Sequence, residues 1–446
     1  MKNSQYILLI MIMLSGCSDY LDQKPNQSLV IPKSLADFRA LLDNDIQTFN
    51  TVPGGLVFAS DELKITEQGL NSLSNITREY YLWDRDAFLA TEFVGDWNRP
   101  YGQVFVSNIV LEGLEKFGEA ERSGEWHEVR GQALFSRAFA IYNLLQLFAA
   151  PYDSSKSDSD LGLPYPNSSD ITLRFDRETV AVSYGKIIRD LIECEKHLPE
   201  TIEYASRPSK AAANMMLAKI YLNMSDFENV KLYANKAIGL KSDLMDYNML
   251  DPKLIRPFPE FNVEIIYNAS QLSIGQTSTQ IFFDDLFLDL YGENDLRPKL
   301  FFLTNGFGLV NFKGSYSAGN FGGLAVDELY FILAEAELRT GQVEQAASTL
   351  NVLLKTRFHG EEYSPVIFED QLDALKTLHR EKLKQLVFRG TRWSDLRRLK
   401  SEGDLSGDLV KNVGGKEFTL NSNDPRWTYP IPFGEISNHP IPQNPK

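Results

Sequence analysis

Cysteine and histidine are scarce in this 446-residue chain, with 2 and 5 respectively. The five histidines, His127, His197, His359, His379 and His439, are scattered. No HExxH motif or other i,i+4 histidine pair occurs, so no zinc helix of that kind is written into the sequence. A GxSxG nucleophile elbow and a GxxxxGK[ST] phosphate loop are also missing. Positive charge is in deficit, at a formal net charge of −15, which repels phosphate backbones and argues against nucleic-acid binding. Glycine (29) and proline (20) are neither rich nor poor enough to indicate gross disorder, and 43% hydrophobic composition suffices for a large core. Beyond residue 14, no apolar run approaches the length needed to cross a bilayer.

What is present begins at the N-terminus. Lys2 precedes an apolar run, Tyr6 to Leu14, which is of signal-peptide length and too short to span a membrane. The run ends in Leu14-Ser15-Gly16-Cys17, which resembles a bacterial lipobox: small residues before a cysteine that becomes the lipidated mature N-terminus. Residues 1–16 are therefore expected to be a signal peptide, Cys17 the lipidation site and residues 17–33 an anchor and tether. Cys194 would then be the one remaining cysteine, unable to form an internal disulfide and flanked by apolar residues as a small buried hydrophobe.

From residue 34 onward the sequence predicts a single, mostly α domain. Ser34 and Asp37 have the spacing of a capping box. Helical periods run from about Trp97 to Leu114, Glu125 to Ala149 and Glu178 to Leu198, while Asn71 to Trp97 is rich in aromatics without a clean period. Glu328 to Thr356 is a helix, a break at Gly341 and a second helix with small residues on the facing sides, a tetratricopeptide-like hairpin. Ser209 to Leu240 repeats it at an offset of 116 positions, placing Ser225 on Gly341. The scaffold is thus expected over about 34–240 and 326–400, with a loop-rich insertion at about 241–325 bearing a few short strands, such as Glu264 to Ala269. Leu378 to Leu399 reads as one helix, and the proline-punctuated tail 421–446 as extended.

Several stretches, in this order, resemble the SusD/RagB family of outer-membrane nutrient-uptake lipoproteins. They are the lipobox with its Ser-Asp-Tyr-Leu-Asp sequel, Trp97 to Leu111, RGQALFSRAFAIYNLLQLF at Arg130 to Phe148, Leu329 to Asn351, FRGTRWSDLRRL at Phe388 to Leu399, and Tyr429 to Asn444. One departure is visible, in that Arg389 stands where the family usually has glutamate. The resemblance implies a SusD-like fold, attachment to the outer membrane with exposure at the cell surface, and binding without catalysis. It also implies delivery of an oligomeric nutrient, most often a glycan, to a TonB-dependent (SusC-like) transporter. Oligopeptides are the alternative ligand, and a tetratricopeptide-like protein-interaction scaffold the alternative role.

Aromatic platforms suit sugars, whose apolar ring faces pack on flat side chains while polar neighbours meet the hydroxyls. Candidates from the irregular segments are Tyr80, Tyr81, Trp83 and Asn98, with Tyr291 and Tyr316 from the insertion. Trp97 is expected in the core. No catalytic residue, metal ligand or cofactor is assigned. The acidic Asp153 to Asp160 loop lacks the ligand spacing of an EF-hand.

Overall fold

The computed structural model describes residues 32–44, 49–91, 93–273 and 279–445, so the expected signal peptide, Cys17 and most of the tether lie outside the described residues. Helices of eight or more residues are numbered in chain order. The first, α1 (Leu35–Leu42), starts as expected, with Ser34 Oγ accepting the Asp37 N–H and the Asp37 carboxylate accepting the Ser34 N–H. Then come α2 (Asn75–Leu82), α3 (Gly95–Leu114), α4 (Gly124–Phe148), α5 (Val180–His197), α6 (Lys210–Asn223) and α7 (Phe227–Leu240). After the insertion follow α8 (Val326–Arg339), α9 (Val343–Leu354), α10 (Gln371–Gln385) and α11 (Arg392–Leu399). Ser123, Thr179, Ser209 and Asp226 cap α4, α5, α6 and α7, each accepting a first-turn N–H that would otherwise lack a partner.

From α3 to α7 each helix packs on its successor, and α8 packs on α9. The row is continuous across the insertion, because α7 packs directly on α8 although residues 241–325 lie between them. Both hairpins turn through a left-handed residue, Ser225 at φ 57° and Gly341 at φ 79°, at equivalent positions. Helix α8 is buried from Val326 to Leu338, which includes Asp327, Glu328, Glu335 and Glu337. Three of these carboxylates meet cations from other elements: Asp327 with Arg389 (2.8 Å), Glu328 with Lys219 (2.6 Å) and Glu335 with Arg398 (2.6 Å).

The short strands join distant parts of the chain. Ile265–Tyr267 pairs antiparallel with Leu324–Ala325, closing the base of the insertion. Thr51–Val52 lies parallel to Ser270–Gln271, and Lys64–Ile65 antiparallel to Ile281–Phe282, so the N-terminal segment is stitched to the insertion. A hairpin, Leu409–Val413 with Lys416–Leu420, turns through Gly414 and Gly415, both at positive φ as a two-residue turn demands.

Three expectations on the elements need correction. The irregular stretch after Asn71 contains α2. The single helix read over 378–399 is two, α10 and α11, because Phe388 (φ 65°) and Gly390 (φ 75°) are left-handed and a right-handed helix cannot pass through them. Glu62 accepts the Phe388 N–H (3.3 Å) and Asp61 pairs in bidentate fashion with Arg392 (2.8 Å to each oxygen), so this break is clamped from the N-terminal segment. The tail is extended except for a 3-10 turn at Pro425–Trp427 and a short helix at Phe433–Asn438.

Helix α11 docks on the C-terminal end of α4. Trp393 Nε1 donates to Gln146 O (3.1 Å), and the Arg397 guanidinium donates to the carbonyls of Leu145, Gln146 and Ala149. The tail takes the others: Tyr429 N donates to Leu147 O (2.8 Å) and Asn444 Nδ2 to Phe148 O (2.9 Å). Carbonyls of the last helical turn have no intrahelical donors, and here other elements supply them. The two long sequence motifs, at 130–148 and 388–399, are therefore two halves of one joint.

Candidate functional site

The structure places four of the six expected binding residues in the core. Tyr80, Tyr81 and Trp83 are 0% exposed and Tyr316 is 1% exposed. The rings of Phe88 and Tyr429 pack edge-on against Tyr80. Trp83 Nε1 donates to Ala59 O (2.8 Å). The Lys411 ammonium sits 4.2 Å from the Tyr81 ring centroid and 4.4 Å from that of Trp83, while donating to Phe58 O and Tyr81 O. The Tyr316 hydroxyl is enclosed by Tyr247, Glu264 and Asp327, with Arg389 4.0 Å above its ring. None of these four offers a face to a sugar. Periodicity was too weak around α2 to separate its inner side from its outer one.

The other two are half-buried and separately engaged. Tyr291 donates its hydroxyl to Lys384 O (2.9 Å), and Asn98 Oδ1 accepts the Val94 N–H (2.9 Å) at the start of its own helix. The six residues do not assemble a site. Arg389, the departure from the family pattern, is neutralised by Asp327 in the same buried cluster where Arg357 meets Glu264 (2.7 Å).

Exposed aromatics do converge elsewhere. Tyr204 (53% exposed) and Phe261 (60% exposed) line one cleft of about 600 Å³. One wall is the α5–α6 loop from Glu200 to Ser209, another the end of α7 with Lys241 and Asp243, and the third the insertion from Phe261 to Ile266. Buried Ile265, Ile266 and Ala211 contribute the apolar part, and Thr201, Ser206 and Asn262 the uncharged polar part. Such a mixture, an apolar surface with a few fixed polar groups, is the usual composition of a small-molecule cleft.

Local chemistry explains why both rings stand out. The Tyr204 loop is held by the Asn268 N–H on Ala205 O (2.7 Å) and by Asn50 Nδ2 on Ser206 O (2.7 Å). Arg207 lies 5.7 Å from the Tyr204 ring centroid and is itself fixed by two bonds to Asp43 (3.0 and 2.6 Å). The Glu203 carboxylate beside the Tyr204 hydroxyl raises its pKa. Phe261 adopts φ 53°, a conformation unfavourable to a residue with a Cβ, and Asn262 stabilises the turn by donating to Pro259 O and accepting the Glu264 N–H. Sequence reasoning passed over both rings. The available signal was an isolated aromatic in each of two proline-bearing polar stretches, EYASRPS and PEFNVE, where no helical period would bury it.

Among the described residues no group of three or more His, Cys, Asp or Glu side chains converges as a metal site. In the acidic loop, Asp153 Oδ1 is occupied by the Ser155 N–H and hydroxyl. No helix among the described residues is long and apolar enough to cross a membrane.

Comparison with known proteins agrees with this architecture. Residues 19–222 match a SusD-like family described as starch-binding, associating with the outer membrane, and residues 326–446 match the SusD family. The two matches leave 223–325 uncovered, which includes Phe261 and the whole insertion. SusD-like protein P2 of Formosa agariphila is 23% identical, over 93% of this chain and 97% of that protein. Among solved structures, a SusD superfamily protein from Bacteroides thetaiotaomicron superposes with a TM-score of 0.72 at 22% identity, covering 93% of this chain and 100% of that one. A SusD-like carbohydrate binding protein from Bacteroides vulgatus gives 0.66 at 18%, covering 92% and 98%. The ordered sequence motifs, a helical scaffold interrupted at 241–325 and two family matches on either side of that interruption lead to one conclusion: the chain belongs to the SusD/RagB family.

Proposed function

We propose that this protein captures an oligosaccharide at the cell surface and passes it to a TonB-dependent outer-membrane transporter, remaining attached through a lipidated Cys17. Binding, without chemical conversion of the ligand, is assigned to the cleft between the α5–α6 loop and the insertion. The observation that carries this reading is the pair of exposed rings, Tyr204 and Phe261, lining a single cleft whose floor is mixed apolar and neutral polar, with Glu200, Glu203, Lys241 and Asp243 also in its lining. Sugar rings offer an apolar face to such aromatics and hydroxyls to groups such as Asn262 and Ser206.

Tyr204→Ala combined with Phe261→Ala tests it. Both side chains project into solvent, so the melting temperature should stay unchanged while affinity for the bound glycan falls by at least roughly tenfold, the equivalent of about 1.4 kcal/mol. Calorimetric titration with glycans found to bind the unaltered protein reads the effect, and equal affinity in the double variant overturns the site. For the transfer role, solubilised outer membranes should yield a large β-barrel protein together with this chain. Repeated purification without one counts against delivery.

A further inference from the structure

We infer that the Tyr204–Phe261 cleft selects an uncharged glycan and discriminates against uronate-bearing or sulfated chains; the inference rests on the carbohydrate reading of this cleft given above. Recognition of a carboxylate or sulfate requires an arginine or lysine whose donors are not already committed. The cleft is short of these. Arg207, behind Tyr204, spends its guanidinium on Asp43, with the two side chains 35% and 29% exposed. Lys210, at the loop's end, faces Glu200 at 3.5 Å. Among the described residues Lys241 is the one lysine in the lining, and no arginine lines it.

Carboxylates outnumber that lysine at the rim. Glu200, Glu203 and Asp243 all line the cleft and are exposed. Glu203 stands beside the hydroxyl of Tyr204, so an acidic substituent on a sugar stacked there would meet a like charge. Like-charge juxtaposition is how a binding surface rejects wrong partners, and the chain's formal net charge of −15 extends that repulsion to longer range. Uncharged hydroxyls lose nothing by this arrangement, since carboxylates accept hydrogen bonds from them. The rings therefore supply the affinity and the rim supplies the exclusion.

The experiment is a glycan array containing neutral, uronate and sulfated oligosaccharides of matched length, read with purified protein, followed by titration of the binders at low and high salt. Neutral chains should bind, and anionic chains of the same length should bind at least tenfold more weakly at low salt. The gap should narrow as salt screens the rim. Glu203→Gln with Asp243→Asn should narrow it at low salt, and a gap unchanged by the double variant overturns the assignment of the exclusion to this rim. Tighter binding of an anionic class overturns the inference and leaves the carbohydrate reading standing, provided that binding still depends on Tyr204 and Phe261. Absence of binding to any glycan overturns both. Anionic binding that survives Tyr204→Ala and Phe261→Ala overturns both for this cleft.

Discussion

The two helical hairpins, α6–α7 and α8–α9, and the insertion that separates them are held in place by contacts of different range in sequence. In the hairpins, buried aliphatic residues such as Ala218, Val230, Ala334, Ala346 and Leu350 pack at helical spacing, with contacts between near neighbours in sequence. The insertion has little regular structure; side chains such as Ile266, Phe283 and Phe301 join the common core, and buried charge ties it to distant elements. Glu264 meets Arg357, and Asp295 and Arg297 form a fully buried pair that also engages Glu381 and Lys384 on α10. Apolar packing tolerates small adjustments, whereas a buried ion pair depends on both partners arriving. The difference teaches that each hairpin is built from local contacts, while the insertion takes its place through partners drawn from distant segments.

The largest expected effect attacks the charged joint. Arg357→Met leaves the fully buried Glu264 carboxylate without its cation, and removing one partner of a buried pair costs about 3–5 kcal/mol. Urea denaturation should show that loss, and limited proteolysis should cut first within 241–325. Cutting in the hairpins at the same rate would erase the distinction between the two regions.

A second test concerns pH. Burial, with the Asp61 carboxylate adding to it, pushes the Glu62 carboxyl up to about 8 from an ordinary 4.5. The unfolded chain releases that proton first, so this group makes stability fall as pH rises from about 4.5 to about 8 and adds no further slope above. Glu62→Gln should remove that part of the slope, seen as a flatter plot of denaturation midpoint against pH. An unchanged slope would place the titration elsewhere.

The smallest effect sharpens the likeness between the hairpins. Ser225 holds the left-handed position that Gly341 fills without a Cβ, so Ser225→Gly should raise stability by up to about 1 kcal/mol. A loss of stability would mean that the Ser225 turn is not equivalent to its partner.

How much of this was legible beforehand follows the same division. Helices α3 to α9 were readable because local periodicity and capping residues such as Ser34 and Ser209 act within a few residues. The break at Phe388 and Gly390 was not, because its clamps, Glu62 and Asp61, lie more than 300 positions away. Aromatic sorting failed for a related reason. Tyr80, Tyr81 and Trp83 are buried by Tyr429 and Lys411 from the far end of the chain, and Tyr316 by a charged cluster drawn from four separate segments. Phe261 and Tyr204 stay exposed because nothing comparable reaches them. Composition told that aromatics were plentiful, and only long-range geometry told which were covered.

The end of α4 carries one more implication. Its final carbonyls, from Leu145 to Ala149, are satisfied by Arg397, Trp393, Tyr429 and Asn444. A ribosome makes α4 long before it makes any of these. Until the last few dozen residues emerge, this helix, the longest among the described residues, ends in bare acceptors, and a chain cut short at residue 390 never acquires their donors. A truncated chain therefore has the scaffold's sequence and lacks the donors that close its end.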